Sequence, residues 1–162
     1  MVTHVVNVQG DEPLIDPQMI DFLATNMIEQ TGLKVATLIR RIEDAADLSN
    51  PNVVKVVINR NNEAMYFSRQ AIPFVRDFPV DSWLEHGVYY KHVGMYAYTS
   101  QALMAIEKLH MHPYEALEKL EQLTWIAHGL SIECYETNME SIGIDTEEDL
   151  KAVTSMIAEL ED

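Results

Sequence analysis

The chain has 162 residues, 26 acidic against 11 basic side chains and a net charge of −15, a size that suits one domain with a core of its own. That charge argues against nucleic acid and anionic membrane as partners, because no basic stripe is available to neutralise phosphates. No apolar run approaches the ~18 residues of a membrane span, and the N-terminus lacks the basic-then-apolar layout of a signal peptide, so a cytoplasmic protein is expected.

The first element is a strand of four strand formers, Val5-Val6-Asn7-Val8, of the kind buried on both faces of a sheet, stopped by the turn Gly10-Asp11-Glu12-Pro13. Asp16-Pro17 starts a helix in which Met19, Ile20, Leu23, Met27 and Ile28 recur at helical spacing, and Gly32 ends it. Residues 35–39 form a second strand. Residues 53–58 form a third, and the turn over 59–63 leads residues 64–68 back as a hairpin. Residues 73–89 carry Pro, Trp, acids and Gly without a period, which predicts a long surface excursion or partner-binding flap in which Trp83 and Phe78 could be anchors. A strand over 93–98 follows, then helices over 100–109 and 114–127, a strand over 131–135, and a last helix from Thr146 with Leu150, Val153, Ile157 and Leu160 facing inward.

Alternating strands and helices with a hairpin predict an α/β layout, but part of a sheet rather than a whole one. Ligands of open α/β sheets bind beyond the carboxyl ends of strands, so Asp11 stands where a cation or phosphate is handled, or is a plain turn residue. No GxGxxG and no Walker-type loop occurs, and the six glycines are scattered. Cys134, the single cysteine, is expected to be a small core residue. His110-Met111-His112 lacks a nearby third ligand and reads as a loop between helices.

Several phrases follow one another in order: Val-Asn-Val-Gln-Gly-Asp-Glu-Pro (6–13), Ala-Thr-Leu (36–38), Asn-Pro-Asn-Val-Val-Lys-Val-Val (50–57), Tyr-Phe-Ser-Arg-Gln-Ala-Ile-Pro (66–73), Lys-His-Val-Gly-Met-Tyr-Ala-Tyr (91–98), Leu-Glu-Lys-Leu-Glu-Gln-Leu (117–123) and Ile-Asp-Thr-Glu-Glu-Asp-Leu (144–150). In this the chain resembles the 3-deoxy-D-manno-octulosonate cytidylyltransferases, the CMP-Kdo synthetases of lipopolysaccharide biosynthesis, over the last two thirds of such an enzyme. The resemblance implies a nucleotidyltransferase-like, Rossmann-like three-layer fold with a mixed sheet. It implies one domain over 1–162 that is N-terminally incomplete, with the CTP-binding strands missing and residues 70–91 as a surface insertion or dimer region.

The implied reaction is the magnesium-dependent transfer of CMP from CTP to the anomeric hydroxyl of a Kdo-like sugar acid, with release of pyrophosphate. Asp11 and Asp145 match the family's two Mg²⁺ carboxylates, which suits an ion that takes one or two carboxylates plus phosphates and waters. Arg69 matches a substrate-side arginine, whose planar fork suits a carboxylate. Gln9, His92, Tyr96, Glu121 and Gln122 match positions lining the sugar pocket. Without the resemblance, His92 also reads as a hydrogen-bonded strand histidine, Tyr96 as core and Glu121-Gln122 as a solvated helix turn.

The family's Ile-Pro-Ala-Arg and Pro-Gly-Lys-Pro segments, which hold CTP, do not occur, and Thr124 stands where many relatives place an arginine. The chain alone is therefore expected to be inactive. A homodimer is implied, together with a separate N-terminal fragment as a possible partner. Alternatives are a non-catalytic sugar-binding or dimerisation module, or a cytidylyltransferase for the 8-amino variant of the sugar or another acidic sugar.

Overall fold

The computed structural model describes residues 1–10, 12–139, 143–144 and 147–160. Its centre is a six-stranded mixed sheet in the order β4-β3-β5-β2-β6, with β1 also paired to β5. The strands are β1 (His4–Asn7), β2 (Val35–Arg41), β3 (Lys55–Ile58), β4 (Ala64–Ser68), β5 (Tyr90–Thr99) and β6 (Glu133–Glu136). β2 lies antiparallel to β5 and parallel to β6.

Alternation along the strands builds two cores, one on each face of the sheet. Val35 and Ile39 of β2 join Tyr96 and Tyr98 of β5 on one face, and Leu123 and Trp125 of α5 (Gln122–Ala127) cover them. Ala36 and Leu38 join Met95 and Ala97 on the other, covered by Met19, Leu23 and Met27 of α1 (Pro17–Glu29). The expected three-layer arrangement of a mixed sheet between helices is therefore present. α1 starts where Asp16–Pro17 predicts, the Asp16 carboxylate accepting from the Gln18 N–H, and Gly32 turns the chain afterwards at a φ of +92°.

β5 is long enough to serve two partners on one edge. β1 pairs with its residues 96–99 and β3 with its residues 90–91, so the edge in between is shared by neither strand. The sheet also curls: the Ala64 N–H donates to Ile132 O and the Cys134 N–H to Asn62 O, which joins the hairpin tip to β6. Cys134 is buried, as expected, and burial pushes its thiol up to about 12.

Several expectations need correction. β1 is only partly buried, not enclosed on both faces. Residues 45–49 form a short helix, α2 (Ala45–Ser49), capped by Asp44. The excursion is not structureless: it holds a 3₁₀ turn over Val80–Glu85, and Trp83 is buried in a small core with Ile42, Leu48 and Tyr89. Its indole N–H donates to Phe78 O at 2.9 Å, so Trp83 is an internal anchor, while Phe78 stays exposed. In α6 (Glu147–Leu160) Val153 is buried but Leu150 and Ile157 are exposed; the side chain of Leu160 and all of Thr146 lie outside the described residues.

The largest departure lies in the helix expected over 114–127. After α3 (Ser100–Ile106), the chain forms α4 (Pro113–Glu118), breaks at Lys119, and resumes as α5. His112 caps α4, its ring Nδ1 accepting from the Tyr114 N–H, which gives that histidine a structural task. Lys119 sits at φ 56°, ψ 45°, in the left-handed region that disfavours a residue with a Cβ. Lys119→Gly is expected to raise stability by about 0.5–1 kcal/mol, the gain in backbone fit exceeding the added entropy of the unfolded chain. Urea denaturation checks this; a loss of stability would mean that Lys119's side chain contributes more than its backbone strain costs.

Candidate active site

A cleft of about 480 Å³ opens on the aromatic face of the sheet, over the unshared edge of β5. Its floor is His92, Gly94 and Tyr96; Gln9 approaches from beyond β1, and Glu115, Lys119, Glu121 and Gln122 form the opposite wall. The split between β1 and β3 along β5 thus produces an opening, in the way strand divergence makes crevices in open α/β sheets.

The floor is shaped by a bulge. Thr37 pairs with Tyr96 but the next residue, Leu38, pairs with Val93, leaving Gly94 and Met95 extra on β5. Thr37 is fully buried and its hydroxyl donates to Met95 O at 2.7 Å. That hydroxyl also lies 2.9 Å from His92 Nε2. Having given its proton to the carbonyl, it can only accept, so Nε2 carries the hydrogen and Nδ1 keeps a lone pair. Burial against Phe67 and Tyr96 pushes the His92 pKa down to about 3, which keeps the ring neutral. Gly94 leaves room: a Cβ there would meet Glu12 Oε1 at 3.6 Å and Gln9 Cγ at 3.7 Å.

Tyr96 packs edge-on against Trp125 and is buried, yet its hydroxyl has no hydrogen-bond partner among the described residues. Such a group costs about 1–3 kcal/mol in the free protein. Glu121 is raised by burial first and by Glu115 second. Glu115 in turn accepts the Thr124 hydroxyl, while Thr124 takes the His112 N–H, so the threonine in this position ties the start of α4 to α5.

Five of the residues expected from the sequence, Gln9, His92, Tyr96, Glu121 and Gln122, therefore come together around one cleft. Arg69 is not among its lining residues. Its Nε–H donates to Glu118 O at 2.8 Å and its Nη1–H to Pro51 O at 3.1 Å. Asp11 and Asp145 lie outside the described residues, and among the described residues there is no group of three or more His, Cys, Asp or Glu that could hold a metal. Glu115 and Lys119 also line the cleft and were not singled out from the sequence, because an unbroken helix would have put them on a solvated face.

A mixed sheet between helices, with a polar cleft at a split strand edge, defines a nucleotidyltransferase-like α/β protein. A family model described as cytidylyltransferase matches residues 2–140, and the chain belongs to that family. It is 47% identical to the 3-deoxy-manno-octulosonate cytidylyltransferase of Cytophaga hutchinsonii, over 93% of this chain and 60% of that protein. With the same-named protein of Parabacteroides distasonis it shares 42% identity over 95% of this chain and 62% of the relative. The solved structure of CMP:2-keto-3-deoxy-manno-octonic acid synthetase complexed with CTP superposes with a TM-score of 0.86 at 37% identity, covering 97% of this chain and 62% of that one. A putative glucose-1-phosphate thymidylyltransferase from Bacillus anthracis shares the fold at a TM-score of 0.51 and 17% identity, over 95% of this chain and 54% of that one. The chain thus spans about 60% of the length of the curated relatives it matches.

The depressed His92 pKa has a consequence for stability. Between pH 6.5 and about 3 the unfolded histidine takes up a proton that the folded one does not, so stability is full above about 6.5 and falls as the pH drops. The expected excess slope over a His92→Gln variant approaches about 1.4 kcal/mol per pH unit. Denaturation of both proteins from pH 7 to pH 4 measures it, and ¹⁵N spectra should show one neutral Nε2–H tautomer throughout. An ordinary titration near 6.5 would show that the ring is not held as described.

Proposed function

We propose that this chain supplies the sugar-acid pocket of a 3-deoxy-octulosonate cytidylyltransferase. In that reaction the anomeric hydroxyl oxygen bonds to the α-phosphorus of CTP and gives up its proton to solvent, the bond from that phosphorus to the bridging oxygen breaks, and pyrophosphate leaves. The observation that carries the reading is the cleft itself, which brings Gln9, His92, Tyr96, Glu121 and Gln122 together around one opening. Family membership and the likeness to the CTP-bound synthetase support the same chemistry.

Each side chain has a task in this reading. Gln9 and Gln122 offer both donors and acceptors to sugar hydroxyls, His92 Nδ1 accepts, and the Tyr96 ring forms part of the floor. Lys119, the one cation among the described residues lining the cleft, faces the ligand's carboxylate. Asp11 and Asp145 would hold Mg²⁺, which would supply neutralisation of charge at the phosphates. The protein's contribution is otherwise positioning, by groups held rigid before the ligand arrives. Exposed Phe74 and Phe78 suit a homodimer contact. Because no Gly-rich or basic phosphate loop occurs in this sequence, the 162 residues alone are expected not to turn over.

Calorimetric titration with 3-deoxy-D-manno-octulosonate, with CTP and with both tests the reading, with pyrophosphate release followed in parallel. The sugar acid is expected to bind the chain, and turnover to appear when the part of the Cytophaga hutchinsonii relative that this chain does not match is added. Tyr96→Phe should stabilise the free protein by about 1 kcal/mol or more, because it removes a buried hydroxyl that has no partner among the described residues, whereas Gln122→Ala should weaken sugar-acid binding. No binding of the sugar acid, or unchanged binding by Gln122→Ala, would count against this pocket.

A further inference from the structure

Lys55, the first residue of β3, is a fully buried lysine within the apolar run of residues 53–57. Its ammonium donates to three main-chain carbonyls, Asn50 O at 2.8 Å, Val53 O at 2.6 Å and Arg69 O. A compact cation with three donors, each taken by a carbonyl, fixes the 50–53 turn against the end of β4. Arg69 crosses the same ground, joining Pro51 O to Glu118 O. The Glu118 carboxylate completes the junction from the other side: one oxygen accepts the Ser68 hydroxyl at 2.7 Å and the other the Arg69 N–H at 2.9 Å.

The junction touches one wall and the floor of the cleft. Glu118 is the last residue of α4, and the next residue, Lys119, takes the left-handed turn that sends Glu121 and Gln122 to the cleft. On the other side, Val54 O, next to Lys55, accepts the His92 N–H at 2.8 Å. The bulged floor and the α4–α5 wall are thus braced through one set of hydrogen bonds, several of them charge-assisted.

We propose that Lys55, Arg69 and Glu118 form a strut that sets the spacing between the cleft floor and the α4–α5 wall, and that Arg69 governs sugar-acid binding through Glu118 without touching the ligand. The inference rests on the sugar-acid reading of the cleft. It gives Arg69 a positioning task, which differs from the direct carboxylate contact expected of it from the sequence.

The test uses the whole chain with Arg69→Met, Glu118→Ala and the double variant, and Glu118→Gln as the conservative change. Hydrogen exchange is measured without ligand, followed by calorimetry with 3-deoxy-D-manno-octulosonate. The strut predicts faster exchange at the amides of Leu123, Thr124 and His92 in either single variant, with α1 unchanged. It predicts sugar-acid binding weakened about tenfold in each, the double variant no worse than the poorer single, and Glu118→Gln intermediate. Losses that add in the double variant, or weaker binding by Arg69→Met with unchanged exchange, would show direct ligand contact and overturn the proposal. Unchanged exchange in Glu118→Ala overturns it as well, whether or not the ligand binds. Failure of the wild-type chain to bind the sugar acid while the exchange changes appear sinks the ligand reading and leaves the strut as architecture. If Glu118→Ala does not fold, Arg69→Met and Glu118→Gln decide by the same two measurements.

Discussion

The hydroxyl of Thr37 is the constraint on which the site depends. It is enclosed by the sheet and has one proton, which goes to Met95 O, so its lone pairs are left for His92. That single geometry holds two extra residues on β5, keeps the histidine in one neutral tautomer, and maintains the bulge over which the cleft opens. An unbulged β5 would carry its pairing with β2 straight through, and Gly94 would not lie under Gln9 and Glu12. A buried polar network of this kind specifies one arrangement because every alternative leaves a donor or acceptor unpaired.

The second wall obeys the same logic at a larger scale. Nothing local favours a helix break in Leu117-Glu118-Lys119-Leu120-Glu121, which contains neither glycine nor proline. The break is imposed from outside, by Ser68 and Arg69 holding Glu118 while Leu120 and Leu123 are drawn into the aromatic core. Tertiary bonds thus offset the cost of a left-handed lysine, about 1–2 kcal/mol. Strain of this size at the rim of a cleft fits a wall that must be placed more accurately than helix geometry alone would place it.

These two features explain what could be seen in the amino-acid sequence and what could not. The hairpin strand over residues 64–68 and the start of α1 at Asp16-Pro17 were legible because a turn cluster and a capping pair act locally. The helix break, the short α2 and the burial of Trp83 were not, since each depends on partners far away in the chain. Two residues gave a signal in advance: a glycine within the strand segment 93–98 and a lysine within the apolar run Val53-Val54-Lys55-Val56-Val57. The first marks a bulge and the second a buried cation that must be paired. Five of the expected pocket residues converge, because a family phrase preserves the order of contacts around the cleft even where periodicity misjudges the elements.

Charge then limits what the cleft can take. The chain carries −15 overall, and two carboxylates, Glu115 and Glu121, stand in the cleft with Lys119. Glu115 is already engaged by Thr124, and Glu121, raised by burial and by Glu115, gives up its proton less readily than an ordinary carboxylate. A ligand with one carboxylate and several hydroxyls meets, among the described lining residues, one cation together with neutral donors and acceptors. A sugar phosphate would bring about two negative charges against the same single cation, in surroundings where unpaired charge is costly. In the proposed reading this charge balance disfavours a phosphorylated acceptor, which fits one activated through its anomeric hydroxyl and not through a phosphate of its own.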